Sequence, residues 1–313
     1  MSDYSYLGVG KVYLRDRSSA SLPMLEVGNC SALNLSVTED VKELKDFTNP
    51  GGGTRNEVRR ISAVEMAMTM HDLNAANLAR ALYGSAANQV GGVARTNQAM
   101  GTGARGGFVP FGEPHAATPA PVVRAANGRT AVTRADSTAY TVGQYIKAIG
   151  SPTHYFKVTT AGTSAASPPG GLGSTTTPGA TVVDGTATLT CMGRILLTPV
   201  TDYELRSSGI LITAAASFTD GEAVEADYTT AEHDAVQALV NSGKEYELFF
   251  DGLNEARSGK RVTVRAFRVK VGALAQLPLI GEEFAAAEAT GKLLADTSRG
   301  VGQSQYFEVD IEA

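Results

Sequence analysis

The sequence predicts a mainly β (α+β) protein, an antiparallel β-sandwich or barrel with one or two short helices and a small inserted all-β domain. Three observations predict it. Apolar and polar residues alternate over many short segments; 34 glycines and abundant Thr and Ala separate them; aromatic residues make up only 7%, with no Trp. A chain of 313 residues with 43% hydrophobic residues can bury one substantial core and a second, smaller unit.

The first strand is expected over residues 7–14, with Val9, Lys11 and Tyr13 on one face and Gly10, Val12 and Leu14 on the other. A second covers 24–27. Between Asn29 and Glu39 the alternation sharpens, with Leu33, Leu35 and Val37 on the buried side. Its partner is the segment in which Val64, Met66, Met68 and Met70 recur at period two. The intervening residues, Asp40 to Arg60, read as a long charged hairpin arm whose tip is Asn49-Pro50-Gly51-Gly52-Gly53.

After Met70 the period changes. Asn74 predicts an N-cap for a helix over 75–83, with Gly84 as its C-terminal cap, and Val236, Leu239 and Val240 predict a second helix over 231–241. Residues 85–120, rich in Gly, Ala and Asn and anchored only by Phe108, Val109 and Phe111, read as an irregular connection. Ser207-Ser208-Gly209 turns between strands at 203–205 and 210–212, and Asp220-Gly221 leads into a strand at 224–228. Further strands are expected at 246–250, 262–271, 277–280, 284–294 and 306–311.

Residues 138–197 differ in texture, with strands at 140–143, 155–163 and 178–191 around the Ser/Pro/Gly loop 164–177. The expected organisation is therefore a core split into 1–137 and 198–313 by an inserted small β domain at 138–197.

Charge and motifs exclude more than they assign. A net charge of -5, from 27 basic and 32 acidic residues, supplies no field for gripping phosphates. Cys30 and Cys191 are too few for a disulfide framework or a cysteine zinc site, and His71, His115, His154 and His233 show no metal-ligand spacing. No apolar run approaches the length of a membrane span, and Met1-Ser2-Asp3-Tyr4 lacks the basic start of a secretory leader. Gly51-Gly52-Gly53 and 101–107 lack the flanking residues of a phosphate loop. Glu282-Glu283 reads as a helix-start pair serving the dipole, and His71-Asp72 as a capping pair. No catalytic residue, cofactor or metal is assigned, and the chain is read as a non-enzyme.

One candidate site remains. In the arm, Asp40, Lys42, Glu43, Lys45 and Asp46 lie on the first limb, Gly51, Gly52 and Gly53 at the tip, and Arg55, Glu57, Arg59 and Arg60 on the second. The limbs could pair with each other as a solvated hairpin or meet another molecule, and the sequence leaves both readings open.

Several segments resemble the phage major tail proteins, the tail tube subunits of long-tailed bacteriophages: residues 36–46 (Ser36-Val37-Thr38-Glu39-Asp40 through Asp46), Gly51-Gly52-Gly53, the 64–70 strand, Leu73-Asn74 through Leu82-Tyr83-Gly84, Phe250-Asp251-Gly252-Leu253-Asn254, Leu279-Ile280-Gly281-Glu282-Glu283-Phe284, and Gly302-Gln303-Ser304-Gln305-Tyr306-Phe307. The insert is similar to small β modules of phage virion proteins. The resemblance implies hexameric rings that stack into a hollow tube, an arm that crosses to the next ring, and an insert facing outward. It further implies partners in the tape measure, tail terminator and distal tail proteins. DNA would pass through without specific binding, and the chain would be found in the virion tail and, before assembly, in the host cytoplasm. Two alternatives stand beside it: a tail terminator or virion decoration subunit, and a host-glycan-binding module in which Tyr140, Tyr145 and Tyr155 of the insert stack on sugar rings.

Overall fold

Alternation becomes strand over about half of the chain in the computed structural model, which describes residues 5–19, 21–48, 50–150 and 152–312. The expected leaderless start, Met1 to Tyr4, and Asn49 of the hairpin tip lie outside the described residues. In chain order the elements are β1 (Gly8–Asp16), β2 (Leu25–Gly28), β3 (Cys30–Lys45), β4 (Thr54–Met70), α1 (Ala75–Ala81), β5 (Ser85–Gln89), β6 (Ala94–Thr102), β7 (Phe108–Pro110), β8 (Val122–Ala125), α2 (Ala126–Thr130), β9 (Val132–Thr133), β10 (Ala139–Tyr140), β11 (Tyr145–Lys147) and β12 (His154–Thr160). They continue with β13 (Gly162–Thr163), α3 (Gly171–Ser174), β14 (Thr181–Asp184), β15 (Ala187–Arg194), β16 (Tyr203–Arg206), β17 (Gly209–Ile212), β18 (Ala223–Thr229), β19 (His233–Gln237), β20 (Glu245–Asn254), β21 (Lys260–Val271), β22 (Ala287–Leu293) and β23 (Phe307–Ile311). The fold is mainly β, its sheets are almost entirely antiparallel, and no barrel closes among the described residues.

Two compact units divide the chain, one from residues up to 87 and from 234 onward, the other from 88–233. The second is larger than the expected insert, and its boundaries fall well outside 138 and 197. Strands β5 and β19 form a two-stranded sheet at the residues where the chain passes from one unit to the other.

The first unit is an eight-stranded sheet ordered β2-β1-β20-β21-β22-β4-β3, with β23 beside the first half of β21. Its core is one face of that sheet. Val64, Met66, Met68 and Met70 are all buried there with Val12, Leu14, Leu248 and Val269. Strand β22 faces them with small residues: Gly291, Ala289 and Ala287 lie opposite Met66, Met68 and Met70. The missing side-chain volume on β22 makes room for the long thioethers, which fill irregular gaps well.

Helix α1 is set as expected at its start, where the Asn74 side chain accepts the Asn77 N–H at 2.9 Å. Asn77 ties the helix down by donating to the carbonyls of Val27 (2.6 Å) and Asp72 (2.8 Å). At its end the left-handed position falls on Tyr83 (φ 49°), not on Gly84. Gly84 is needed for another reason: a Cβ there would lie 2.4 Å from the carbonyl oxygen of Gln237.

Four further expectations are corrected. Residues 231–241 hold β19 and a turn instead of a helix, because Leu239 and Val240 are exposed and have no core to face; Leu239 adopts φ 60°. Residues 277–280 form no strand, and Glu282-Glu283 start no helix, since both lie in the 272–286 connection between β21 and β22. Asp72 does not cap α1. It accepts the Asn29 N–H at 2.9 Å and closes the turn at Gly28 (φ 94°).

The second unit contains strands where an irregular connection was expected. Strand β6 pairs with β18, and β7 with β17, so 85–120 is structured by partners more than a hundred residues away. Val109 and Phe111 are buried as anchors, but Phe108 is half exposed. One core joins these strands through Val123, Tyr203, Ile210, Phe218 and Val224. The expected insert has a nucleus of its own, Tyr140, Ile146, Phe156, Val158, Leu172, Val182, Leu189 and Cys191, within the sheet β14-β15-β12-β11-β9.

That nucleus is fastened to residues before 138. Strand β9 pairs with β11, the one parallel pairing of that sheet, and the fully buried Arg134 side chain reaches Asp184 with Nε at 2.8 Å and Nη2 at 3.0 Å. Arg134 also donates to Asp136 and to the carbonyls of Ala165 (2.6 Å) and Ser167 (3.1 Å). Every face of the guanidinium is satisfied, and the Asp184 hydrogen bonds, outweighing burial, push its pKa up.

Met66→Ala is expected to destabilise the first unit by about 2–5 kcal/mol in denaturant titrations, against no more than about 0.5 kcal/mol for Val58→Ala on the exposed part of the same strand. Arg134→Met should cost the second unit about 3–5 kcal/mol by leaving Asp184 buried without its partner, and Arg134→Met with Asp184→Leu should recover most of that loss.

Candidate assembly site

Strand β4 has two neighbours only over its last residues. Pairing with β22 stops at Glu65, whereas pairing with β3 runs on to Lys45↔Thr54. The part of the hairpin from Glu39 to Ile61 is therefore a two-stranded ribbon, about 20 Å long at the strand rise of about 3.3 Å per residue. Its base carries a bulge at Ser62, whose hydroxyl donates to the Thr38 carbonyl at 3.0 Å.

The structure brings the predicted site residues together on this ribbon, and the limbs do pair with each other. Arg59 bonds Glu57 on its own strand and Glu39 across the ribbon at 3.4 Å. Lys42 lies 3.5 Å from Asp40, and Lys45 bonds Glu43 and the Thr54 hydroxyl. The hydrogen bond from Lys45 holds the Glu43 carboxyl below its usual range, and Glu57 and Glu39 raise Arg59. Glu43 and Glu57 are directly opposite, a like-charge pair that disfavours the ribbon. Each is answered by its own neighbour, Lys45 or Arg59. At the tip the Asp46 N–H donates to the Gly53 carbonyl at 2.8 Å, Gly51 takes φ 83°, and Gly52 is exposed. Among the described residues Arg55 and Arg60 form no ion pair.

Two signals on the ribbon went unread in the sequence. Val41, Leu44, Phe47, Val58 and Ile61 are all exposed, Phe47 at 85%, and Val37, expected on the buried side with Leu33 and Leu35, is exposed as well because it lies just beyond the stretch that β22 pairs. Alternation of these residues along a charged hairpin was visible, but burial was assigned only to its base. The second is balance: five acidic and five basic residues between Glu39 and Arg60 cancel. A two-stranded ribbon is marginal in water by itself. With five exposed apolar side chains and no net charge, this one exposes more apolar surface than an ordinary solvated hairpin.

The opposite face of the sheet is polar. Glu247, almost wholly covered, sits between Arg15 and Arg265 (2.6 Å), while Lys11 bonds Glu26 at 3.2 Å. The sheet ends are open, with the outer edge of β3 unpaired at one side and the short β2 at the other.

The tyrosines assigned to glycan stacking do not form a surface. Tyr155 and Tyr140 are buried at 0% and 5% exposure, and Tyr155 donates to Glu222 at 3.0 Å. Tyr145 is half-buried, packs on the Tyr155 ring at 5.9 Å, carries Lys157 over its own ring at 5.7 Å, and donates to Glu222 at 3.2 Å. A ring held between a core residue and a lysine cannot stack on a sugar. Burial raises both phenols, and Glu222 adds to the effect.

Among hydroxyl and imidazole groups, Ser217 Oγ lies 3.3 Å from His154 Nε2, but the serine also donates to the Thr176 carbonyl at 3.1 Å. His154 Nδ1 is shared with Thr153, and Asp202 accepts the Ser217 backbone N–H instead of orienting the ring. This geometry fastens loops; it does not activate a nucleophile. Burial pushes both thiols up, with Asp72 contributing at Cys30.

Together these features define a mainly β protein of two units whose first unit projects a two-stranded ribbon. The chain belongs to the family described as protein of unknown function UCP028589, whose match covers residues 5–167 and 175–310. The residues it skips, 168–174, fall in the Ser/Pro/Gly loop that carries α3. No curated protein matches the chain.

Burial holds the His154 pKa below 6.5, with Arg194 adding to the shift. The neutral ring is favoured in the fold, so its contribution is complete above pH 6.5 and is lost as pH falls below that value through the folded pKa. Urea midpoints at pH 7.5, 6.5 and 5.5 should decline for the wild type, and His154→Gln should flatten the decline.

Proposed function

We propose that the chain is a structural subunit that assembles with copies of itself into a tube, as the tail tube subunit of a long-tailed phage does. The observation that carries this reading is the exposed ribbon from Glu39 to Ile61, neutral overall and lined by five uncovered apolar side chains. In a stack of rings it reaches the neighbouring ring, where Arg55 and Arg60 find carboxylates and Phe47 and Leu44 find an apolar surface.

The open edges of the eight-stranded sheet support the same reading. An unpaired strand as long as β3 invites pairing with another chain, and a closed ring of subunits removes such edges. Ring formation is then heterologous and closed, and stacking heterologous and open, which yields a filament of fixed width. On the polar face Lys11, Arg15, Arg261 and Arg265 alternate with Glu247, Asp251, Glu308 and Asp310. A bore lined by such a mixture presents no field of one sign, so a duplex slides instead of binding. A tape measure protein inside, and terminator and distal tail proteins at the ends, complete the assembly; the virion tail is its destination.

Negative-stain electron microscopy of the purified chain tests this directly. Hollow tubes of uniform width are expected, and closed single rings would assign the chain to a tube end instead. Replacing residues 43–57 by Asn-Gly should leave the melting temperature within a few degrees of wild type and abolish tubes; long tubes from that variant would remove the ribbon from the mechanism.

A further inference from the structure

The first unit contains a cavity of about 390 Å³ walled by Leu14, Leu22, Pro23 and Leu25 and by the end of α1. Two cations and one acid face it. Lys244 is spent on Asp16 at 2.7 Å, and Asp16 also accepts the Ser18 N–H at 2.8 Å. That leaves Arg80, which is half-buried and donates from Nη1 to the neutral Asn77 side chain at 2.8 Å, with no carboxylate partner among the described residues. Desolvation lowers its pKa, the mark of a guanidinium short of compensating charge.

A matching segment lies elsewhere in the same unit. The connection 272–286 is fifteen residues long, beyond the usual length of a loop without secondary structure, and loops of that length generally have a task. Leu279, Ile280 and Phe284 are exposed at 82%, 100% and 96%, three large apolar side chains within six residues. Between them stand Glu282 and Glu283, neither of which forms an ion pair among the described residues. The loop thus offers apolar groups and two free carboxylates, and the cavity offers apolar walls and one free guanidinium.

We propose that the 277–286 loop of one copy docks in the Arg80 cavity of a second copy, with Ile280 or Phe284 against the Leu22–Leu25 wall and a Glu282 or Glu283 carboxylate on the Arg80 guanidinium. This rests on the self-assembly reading and adds a second contact to the ribbon. Arginine is suited to the role because its planar fork meets a carboxylate through two parallel hydrogen bonds. Patch and pocket are different surfaces of the same molecule, so the contact is heterologous and propagates.

The test uses full-length chains carrying Cys30→Ser, one with Leu22→Cys and one with Phe284→Cys, mixed under mild oxidation and resolved on a non-reducing gel. A mixed disulfide dimer absent from either chain alone is expected, and adding Arg80→Glu to the Leu22→Cys chain should reduce it at least tenfold. Reversing the loop acids as well, Glu282→Arg with Glu283→Arg on the Phe284→Cys chain, should restore it. Absence of the mixed dimer at every concentration overturns the docking. The two readings fail separately: tubes without the cross-link sink the loop contact alone, whereas a cross-link in a chain that never forms tubes supports the contact and removes the tube.

Discussion

The constraint on which the first unit depends is the double duty of β4. Its last six residues are locked between β3 and β22 and, with Val64 just before them, bury Met66, Met68 and Met70; its first residues leave the core with β3 as sole companion. Strand register joins the two parts. A slip of one residue would turn the methionines to solvent and rotate every ribbon residue to the other face. The bulge at Ser62 separates core from ribbon and lets the exposed part twist without disturbing the packed part. The core therefore sets which ribbon side chains face which way.

The second unit is organised by buried polar groups instead. Glu222 accepts from Tyr145, Tyr155 and Asn127, and Arg134 gathers Asp184, Asp136 and two carbonyls. Such groups carry a desolvation cost that hydrogen bonds offset only when every partner is in place, so they specify one arrangement of the loops around them. They also explain why the tyrosines of the expected insert are structural: their hydroxyls complete the shell of a carboxylate.

Much of this was legible. Met66, Met68 and Met70 announced their strand because period two over large apolar residues has a single reading, and Asn74 announced α1 because its side chain meets a need local to the sequence. The hairpin and its charges were legible for the same reason. What failed depended on distant partners. Strand β6, Ala94–Thr102, has little β propensity of its own and is held by β18, and the helical spacing of Val236, Leu239 and Val240 had no core to give it meaning. Arg80 could not be singled out at all, since nothing in its neighbourhood along the chain signals a missing carboxylate.

The run of methionines gives the molecule a chemical clock. Thioethers are converted by peroxide to polar sulfoxides, which no longer suit an apolar core. Met66, Met68 and Met70 are shielded at 1%, 2% and 4% exposure, so oxidant reaches them chiefly when the sheet opens. Once oxidised, the strand loses the side chains that fit beside Gly291, Ala289 and Ala287, and reclosing is penalised three times over along five residues. The methionine core is thus protected by the rarity of that opening, and anything that makes the opening rarer lengthens its lifetime under oxidant.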